Sequence, residues 1–116
     1  MLLLHKTPCE TCPFRKDSMG GFLGGTELAE WVAAWQADGP FPCHNTVSDD
    51  DIAAIRDGDL SPLDDAAYCA GALICMRNSA KAPRNTEVHK VTREIEPDRD
   101  TVFDHFRHFY SHHGGK

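Results

Sequence analysis

The sequence predicts a single, mainly α-helical domain, and three observations lead there. A chain of 116 residues is one domain by length. Ile and Val are too sparse to furnish a large sheet. Apolar residues recur at helical spacing in several segments, each bounded by capping residues, glycine or proline. A small α+β variant remains open, because residues 2–6 have room for one short N-terminal strand or hairpin.

The segments are taken in chain order. After the glycine pairs Gly20-Gly21 and Gly24-Gly25, a helix is expected from about 27 to 37. Thr26 is its expected cap, and Leu28, Trp31, Val32 and Trp35 form one apolar stripe that assigns both tryptophans to the core. Gly39-Pro40 stops it. Ser48 with Asp51 has the form of a capping box for a short helix that turns Ile52 and Ile55 inward and ends near Gly58. Ser61-Pro62 restarts a turn. Residues 69–78, CAGALICMRN, are apolar enough for a buried helix, and Gly71 within it signals close approach of another backbone or of a site. A loop covers 79–86. Thr86 is expected to cap a helix carrying Val88, Val91 and Ile95, closed by Pro97. The last helix is expected to start from Thr101, with Asp104 completing the box and Val102, Phe103, Phe106, Phe109 and Tyr110 inside. Residues from His112 onward are expected to fray.

Charge is unevenly spread. Between Asp49 and Asp65 stand seven aspartates and one arginine, which equals the whole formal net charge of −6. From Arg77 to Arg93 there are five basic residues and Glu87. Solvated faces and helix ends explain both. The acidic segment also offers itself as a nucleic-acid mimic or as a surface for a basic partner, expected to be a host or cellular protein. The basic stretch lacks interleaved aromatics, which argues against direct nucleic-acid binding. The spacing of GGFLGG fits neither common phosphate-loop fingerprint. The apolar run Met1–Leu4 is too short for a signal-peptide core, and no other stretch approaches the roughly 20 apolar residues of a membrane span. A cytoplasmic location without membrane contact is therefore expected.

Five cysteines are many for so short a cytosolic chain, where thiols stay reduced and spaced cysteines more often serve metals or catalysis. In TPCETCPFR, Cys9 and Cys12 form a CxxC pair. A thioredoxin-type couple needs that pair at a helix start, and Pro13 would fall within the opening turns. A CxxC turn instead lets two sulfurs converge on one ion. Cys43, in FPCH, and Cys69 are the natural partners, since each follows a turn and abuts a helix whose N–H groups stabilise a thiolate. His44 is a possible ligand in place of one sulfur, or a hydrogen-bonding neighbour. Cys75 points away from Cys69 on one helix and reads as a packed small hydrophobe. Along the last helix, His105, His108 and His112 share a stripe, but no acidic base stands between them as in HExxH, so a polar outer face is the simpler account. A Cys–His nucleophilic pair lacks any marked oxyanion site.

PCETCPFR, FPCHNT and CAGALI together resemble a family of short cysteine-rich proteins of unknown function from bacteria and their phages, with the pattern CxxCP-aromatic-Arg, CH and CAG. The resemblance runs from Cys9 to about Asn78. It implies Cys9, Cys12, Cys43 and Cys69 as the common set with His44 beside them, and it is silent on activity. Asn45 stands where the family commonly has Lys, and Cys75 is a local addition. The acidic segment and the His-rich end lie outside it.

The resulting expectation is a compact, irregular helical domain over residues 1–116 nucleated by a four-cysteine metal site. Its metal-binding core covers about 7–78, and a C-terminal helical extension covers about 86–113. Four thiolates suit zinc or a [4Fe–4S] cluster by ligand type. Zinc is preferred because metal binding contributes directly to the folding of a small domain and needs no cluster assembly. The expected function is a non-enzymatic binding or regulatory module, phage-encoded or bacterial, that modulates a host through its acidic surface. The alternative is an iron–sulfur protein that senses redox state or transfers electrons.

Overall fold

A computed structural model describes residues 1–39 and 41–115, so the expected stop at Pro40 lies outside the described residues. Among the described residues five α-helices follow in order: α1 (Leu28–Gln36), α2 (Asp49–Arg56), α3 (Ala70–Asn78), α4 (Thr86–Thr92) and α5 (Phe106–His112). Short 3-10 turns cover His44–Thr46 and Ser61–Leu63. The fold is mainly α, as the scarcity of β-branched residues predicts. Among the described residues, β pairing is confined to isolated bridges between Leu2 and Ala67, Arg15 and Val102, and Pro42 and Tyr68. The possible N-terminal strand is thus reduced to one bridge.

Ser48 caps α2 as expected, accepting from the Asp51 N–H at 3.1 Å while Asp51 accepts from the Ser48 N–H at 2.9 Å. The other starts lie further along the chain or use a neighbouring residue. Glu27 rather than Thr26 precedes α1, with its N–H donating to Glu30 at 3.3 Å. Asn85 rather than Thr86 caps α4, its Oδ1 accepting from the N–H groups of Glu87 and Val88 at 3.0 and 3.2 Å. Thr101 caps nothing. Asp98 takes the N–H groups of Asp100 and Thr101, both at 3.1 Å, and α5 begins only after His105. Tertiary pairing overrides the local box there, because Val102 bridges Arg15 and Phe103 donates its N–H to the Phe14 carbonyl at 3.3 Å.

Helices α1, α2, α3 and α5 close with one motif, in which a residue just past the helix donates back five positions along the chain. Gly39 donates to Ala34, Asp59 to Ala54, Lys81 to Met76 and Gly115 to Tyr110, at 2.8 to 2.9 Å. The residue before each donor is left-handed. Glycine supplies it at Gly58 and Gly114, whereas Asp38 (φ +63°) and Ala80 (φ +55°) adopt it with a side chain. Asp38 has a tertiary reason to be there. Its buried carboxylate accepts from the Arg84 N–H at 2.9 Å and pairs with Lys81 at 2.7 Å, and the Lys81 bond holds its pKa below the usual carboxylate range. Ala80, which is exposed, has no comparable compensation.

The core is aromatic and centres on Phe14. Its ring stacks on Phe109 at 4.1 Å and meets Trp31, Phe41 and Phe106 edge-on at 5.4 to 6.3 Å. Helix α3 lies behind this cluster with Ala70–Met76 and Asn78 buried. Buried Asn78 ties the segment before α5 to α3. Its amide donates to the carbonyls of Asp98, Val102 and Phe103 and accepts the Asp98 N–H at 2.8 Å.

Two expectations about side chains are corrected. Trp31 is buried, but Trp35 is only half-buried and lies at the edge of the core. His113 does not fray. It is buried, with Nδ1 accepting the Gly21 N–H at 3.0 Å, which leaves Nε2 to donate to the Pro13 carbonyl at 2.8 Å. Burial lowers its pKa, and a second ring proton would oppose the Gly21 N–H.

Replacing Ala80 by Gly should raise stability by about 1 kcal/mol, because the left-handed position penalises a Cβ. Urea unfolding measures this, and a loss of stability in Ala80→Gly would contradict the strain assigned to that position.

Candidate metal centre

The first sulfur pair sits on a tight turn. The Cys12 N–H donates to the Cys9 carbonyl at 3.1 Å, and the Arg15 N–H donates to the Cys12 carbonyl at 3.1 Å. Pro13 follows as a buried residue whose carbonyl accepts from Ser18 at 3.1 Å as well as from His113. The turn is thereby fastened from outside, and the proline that opposes a redox helix serves as its anchor.

Strand-like pairing positions the second pair. Around the Pro42–Tyr68 bridge, the Cys43 N–H donates to Ala67 at 2.8 Å and the Cys69 N–H donates to Phe41 at 2.6 Å. Cys43 then precedes the 3-10 turn His44–Thr46, and Cys69 is the N-cap of α3. Both therefore abut a helical start, as the sequence predicts. Gly71 fulfils its expectation too: a Cβ there would collide with the Cys12 sulfur and lie 2.9 Å from the Phe14 Cβ. The close approach of α3 to the turn requires glycine.

This framework brings thiols from distant parts of the chain together. The Cys12 and Cys69 sulfurs are 3.8 Å apart, both buried. Cys9 neighbours Cys12 on one side and Cys43 on the other, closely enough that each contact raises a thiol pKa. For Cys9 the Cys12 contact is the largest cause, for Cys12 the Cys69 contact, and for Cys43 burial comes first. Backbone N–H groups oppose the rise: Thr11 acts on Cys9, Phe14 on Cys12, and Asn45 and Thr46 on Cys43. The first three of these N–H groups lie two residues beyond their sulfur, an arrangement that favours thiolates. All five cysteines are free thiols, and among the described residues no group of three or more His, Cys, Asp or Glu is placed, as it stands, to hold a metal ion.

His44 stands beside the thiols with its Nε2 3.0 Å from the Thr11 hydroxyl, and its pKa is lowered by burial. Thr11 also receives a long contact from the Asn45 amide at 3.5 Å. The sequence holds no sign of this role for Thr11 beyond its place between the two cysteines. Cys75 is fully buried on α3, its pKa pushed up to about 12, chiefly by burial. Along α5 the three histidines are not gathered. His105 and His108 have ring centres 6.4 Å apart, whereas the His112 Nε2 contacts the Ser18 carbonyl at 2.6 Å.

Gly71→Ala should destabilise the protein by about 1–3 kcal/mol through overpacking and should speed alkylation of Cys12 by displacing it. Urea unfolding and timed alkylation with mass spectrometry read both effects. Unchanged stability and reactivity would show that α3 does not press on the turn.

No protein-family model matches this chain, and searches of curated proteins and of solved structures return no match either.

Proposed function

We propose that the chain is a small zinc-binding protein in which Cys9, Cys12, Cys43 and Cys69 hold one structural ion, and that it acts as a non-enzymatic binding or regulatory module. The observation that carries this reading is the 3.8 Å separation of the Cys12 and Cys69 sulfurs, which lie 57 residues apart in sequence. A tetrahedron with zinc–sulfur bonds of about 2.3 Å has an edge of about 3.8 Å, so the pair already stands at the spacing of two ligands to one ion. The preference for zinc over a cluster rests on the folding argument, since one ion cross-links a small domain without cluster assembly. Zinc would supply a cross-link between the N-terminal turn and α3. The N–H groups directed at the sulfurs would offset the negative charge of a tetrathiolate. His44 belongs to this arrangement through Thr11, as a hydrogen-bonding neighbour.

The binding half of the proposal rests on the acidic segment. Asp49, Asp50, Asp57, Asp59, Asp64 and Asp65 are exposed, and Leu60 among them is 59 % exposed. An exposed apolar side chain flanked in sequence by exposed aspartates suits a basic, amphipathic segment of a host or cellular protein. Arg56, the one cation of the segment, is held in a two-bond pair with Glu30 at 2.5 and 3.1 Å, which leaves the field there negative. As for where the chain works, no helix among the described residues is long and apolar enough to cross a membrane.

Anaerobic purification followed by metal analysis and a visible spectrum tests the first half. One zinc per chain with no visible absorption is the expected result. Iron with visible absorption would replace zinc by the cluster, and absence of both metals with freely alkylated thiols in the folded chain would refute the site. Capture of a basic partner should weaken with salt and be lost when these aspartates become asparagine. Undiminished capture by that variant would remove the segment as the contact.

A further inference from the structure

Helix α1 directs only one residue of its apolar stripe, Trp31, fully into the core. Leu28, Val32 and Trp35 pack against the edge of the core and also line an open cleft of about 730 Å³, whose opposite wall is formed by Phe106 and Tyr110 of α5. We infer that this cleft is a binding site for a small aromatic carboxylate, distinct from the cysteine cluster and independent of the metal.

Three features point to that ligand class. The first is size and lining, because clefts of about 300–1,000 Å³ with apolar and aromatic walls and few polar groups are the usual form of a small-molecule site. The second is a fixed aromatic floor. Trp35 packs against Phe106 with ring centres 4.7 Å apart, and Lys81, itself paired with Asp38, lies 5.4 Å over the Trp35 ring. The indole is therefore held in place before any ligand arrives, which lowers the entropic cost of binding. The third is charge. Exposed Arg107 lines the cleft beside His105, and like Lys6, Arg77, Arg84, Lys90, Arg93 and Arg99 it makes no ion pair among the described residues, so its guanidinium is open to a ligand. In a chain of net charge −6, a cation without an ion-pair partner beside an aromatic cleft selects an anionic head group on an apolar body. The planar guanidinium suits a carboxylate in particular.

Calorimetric titration with naphthoate and with its neutral counterpart naphthamide tests the site in the full-length chain. Naphthoate should bind saturably and about tenfold more tightly than naphthamide, the factor expected for one charge-assisted hydrogen bond. Arg107→Gln should abolish that preference while leaving naphthamide binding unchanged. Ala29→Glu should abolish binding of both, because exposed Ala29 also lines the cleft, and a carboxylate in the first turn of α1 suits the helix dipole and so leaves the fold intact. Circular dichroism verifies that both variants are folded. Equal affinity for the two compounds, absence of saturation, or a preference that survives Arg107→Gln would overturn the assignment. It would also be overturned if sedimentation showed the chain to be a dimer that Ala29→Glu converts to monomer, since the cleft would then hold a second copy.

Discussion

Phe14 occupies the centre of this protein because of where it sits in the chain. It follows the CxxC turn by two residues, so its position is dictated by the same backbone that presents Cys9 and Cys12. Its ring, fully buried, meets aromatic side chains from α1, α5 and the segment before Cys43. Its backbone also joins the structure, since the Phe14 N–H is directed at the Cys12 sulfur and its carbonyl accepts from Phe103. The aromatic core and the sulfur cluster are therefore one construction. Anything that moves the turn moves the ring on which the helices pack, and in an interior of crystal-like density such a shift is felt throughout.

Short helices make this dependence acute. The longest has nine residues, well below the length at which helices are stable alone. Loops carry much of the remaining order, and several are secured by a buried polar side chain. Asn78 satisfies the backbone ahead of α5, Asp38 gathers Lys81 and the Arg84 N–H, and His113 links Gly21 to Pro13. Two of these anchors converge indirectly on the same turn: His113 holds the residue after Cys12, and Asn78 terminates the helix that presses on Cys12. A cross-link among the thiols would reinforce the point at which these constraints meet, consistent with the need of small domains for a staple.

Legibility from sequence followed the range of the interaction concerned. The mainly helical fold and the capping box at Ser48 are local, and both are written in residue spacing. The burial of 69–78 and the meaning of Gly71 were also readable, because a lone glycine within an apolar helical run marks a place where a neighbour comes close. Thr101 misled, since it has the composition of a cap but its segment is claimed by pairing with Arg15 and Phe14 more than eighty residues earlier. The role of His113 was hidden for the same reason: nothing near it in sequence announces Pro13 or Gly21. Trp35 lay on the predicted stripe, yet a stripe does not say whether core or cleft receives it. Cys9, Cys12, Cys43 and Cys69 were selected by motif. Their neighbourhood arises from bridges between segments that carry no strand signal of their own.

The central claim is that the thiol cluster and the aromatic core stand or fall together. Near-ultraviolet circular dichroism follows the fixed environment of Trp31, Trp35 and the surrounding rings, and it can be recorded while a chelator removes the proposed zinc ion and while zinc is restored. The account predicts that the aromatic signal is lost as the metal leaves and returns in full with one equivalent of zinc. An aromatic spectrum that stays unchanged after complete metal removal would contradict it.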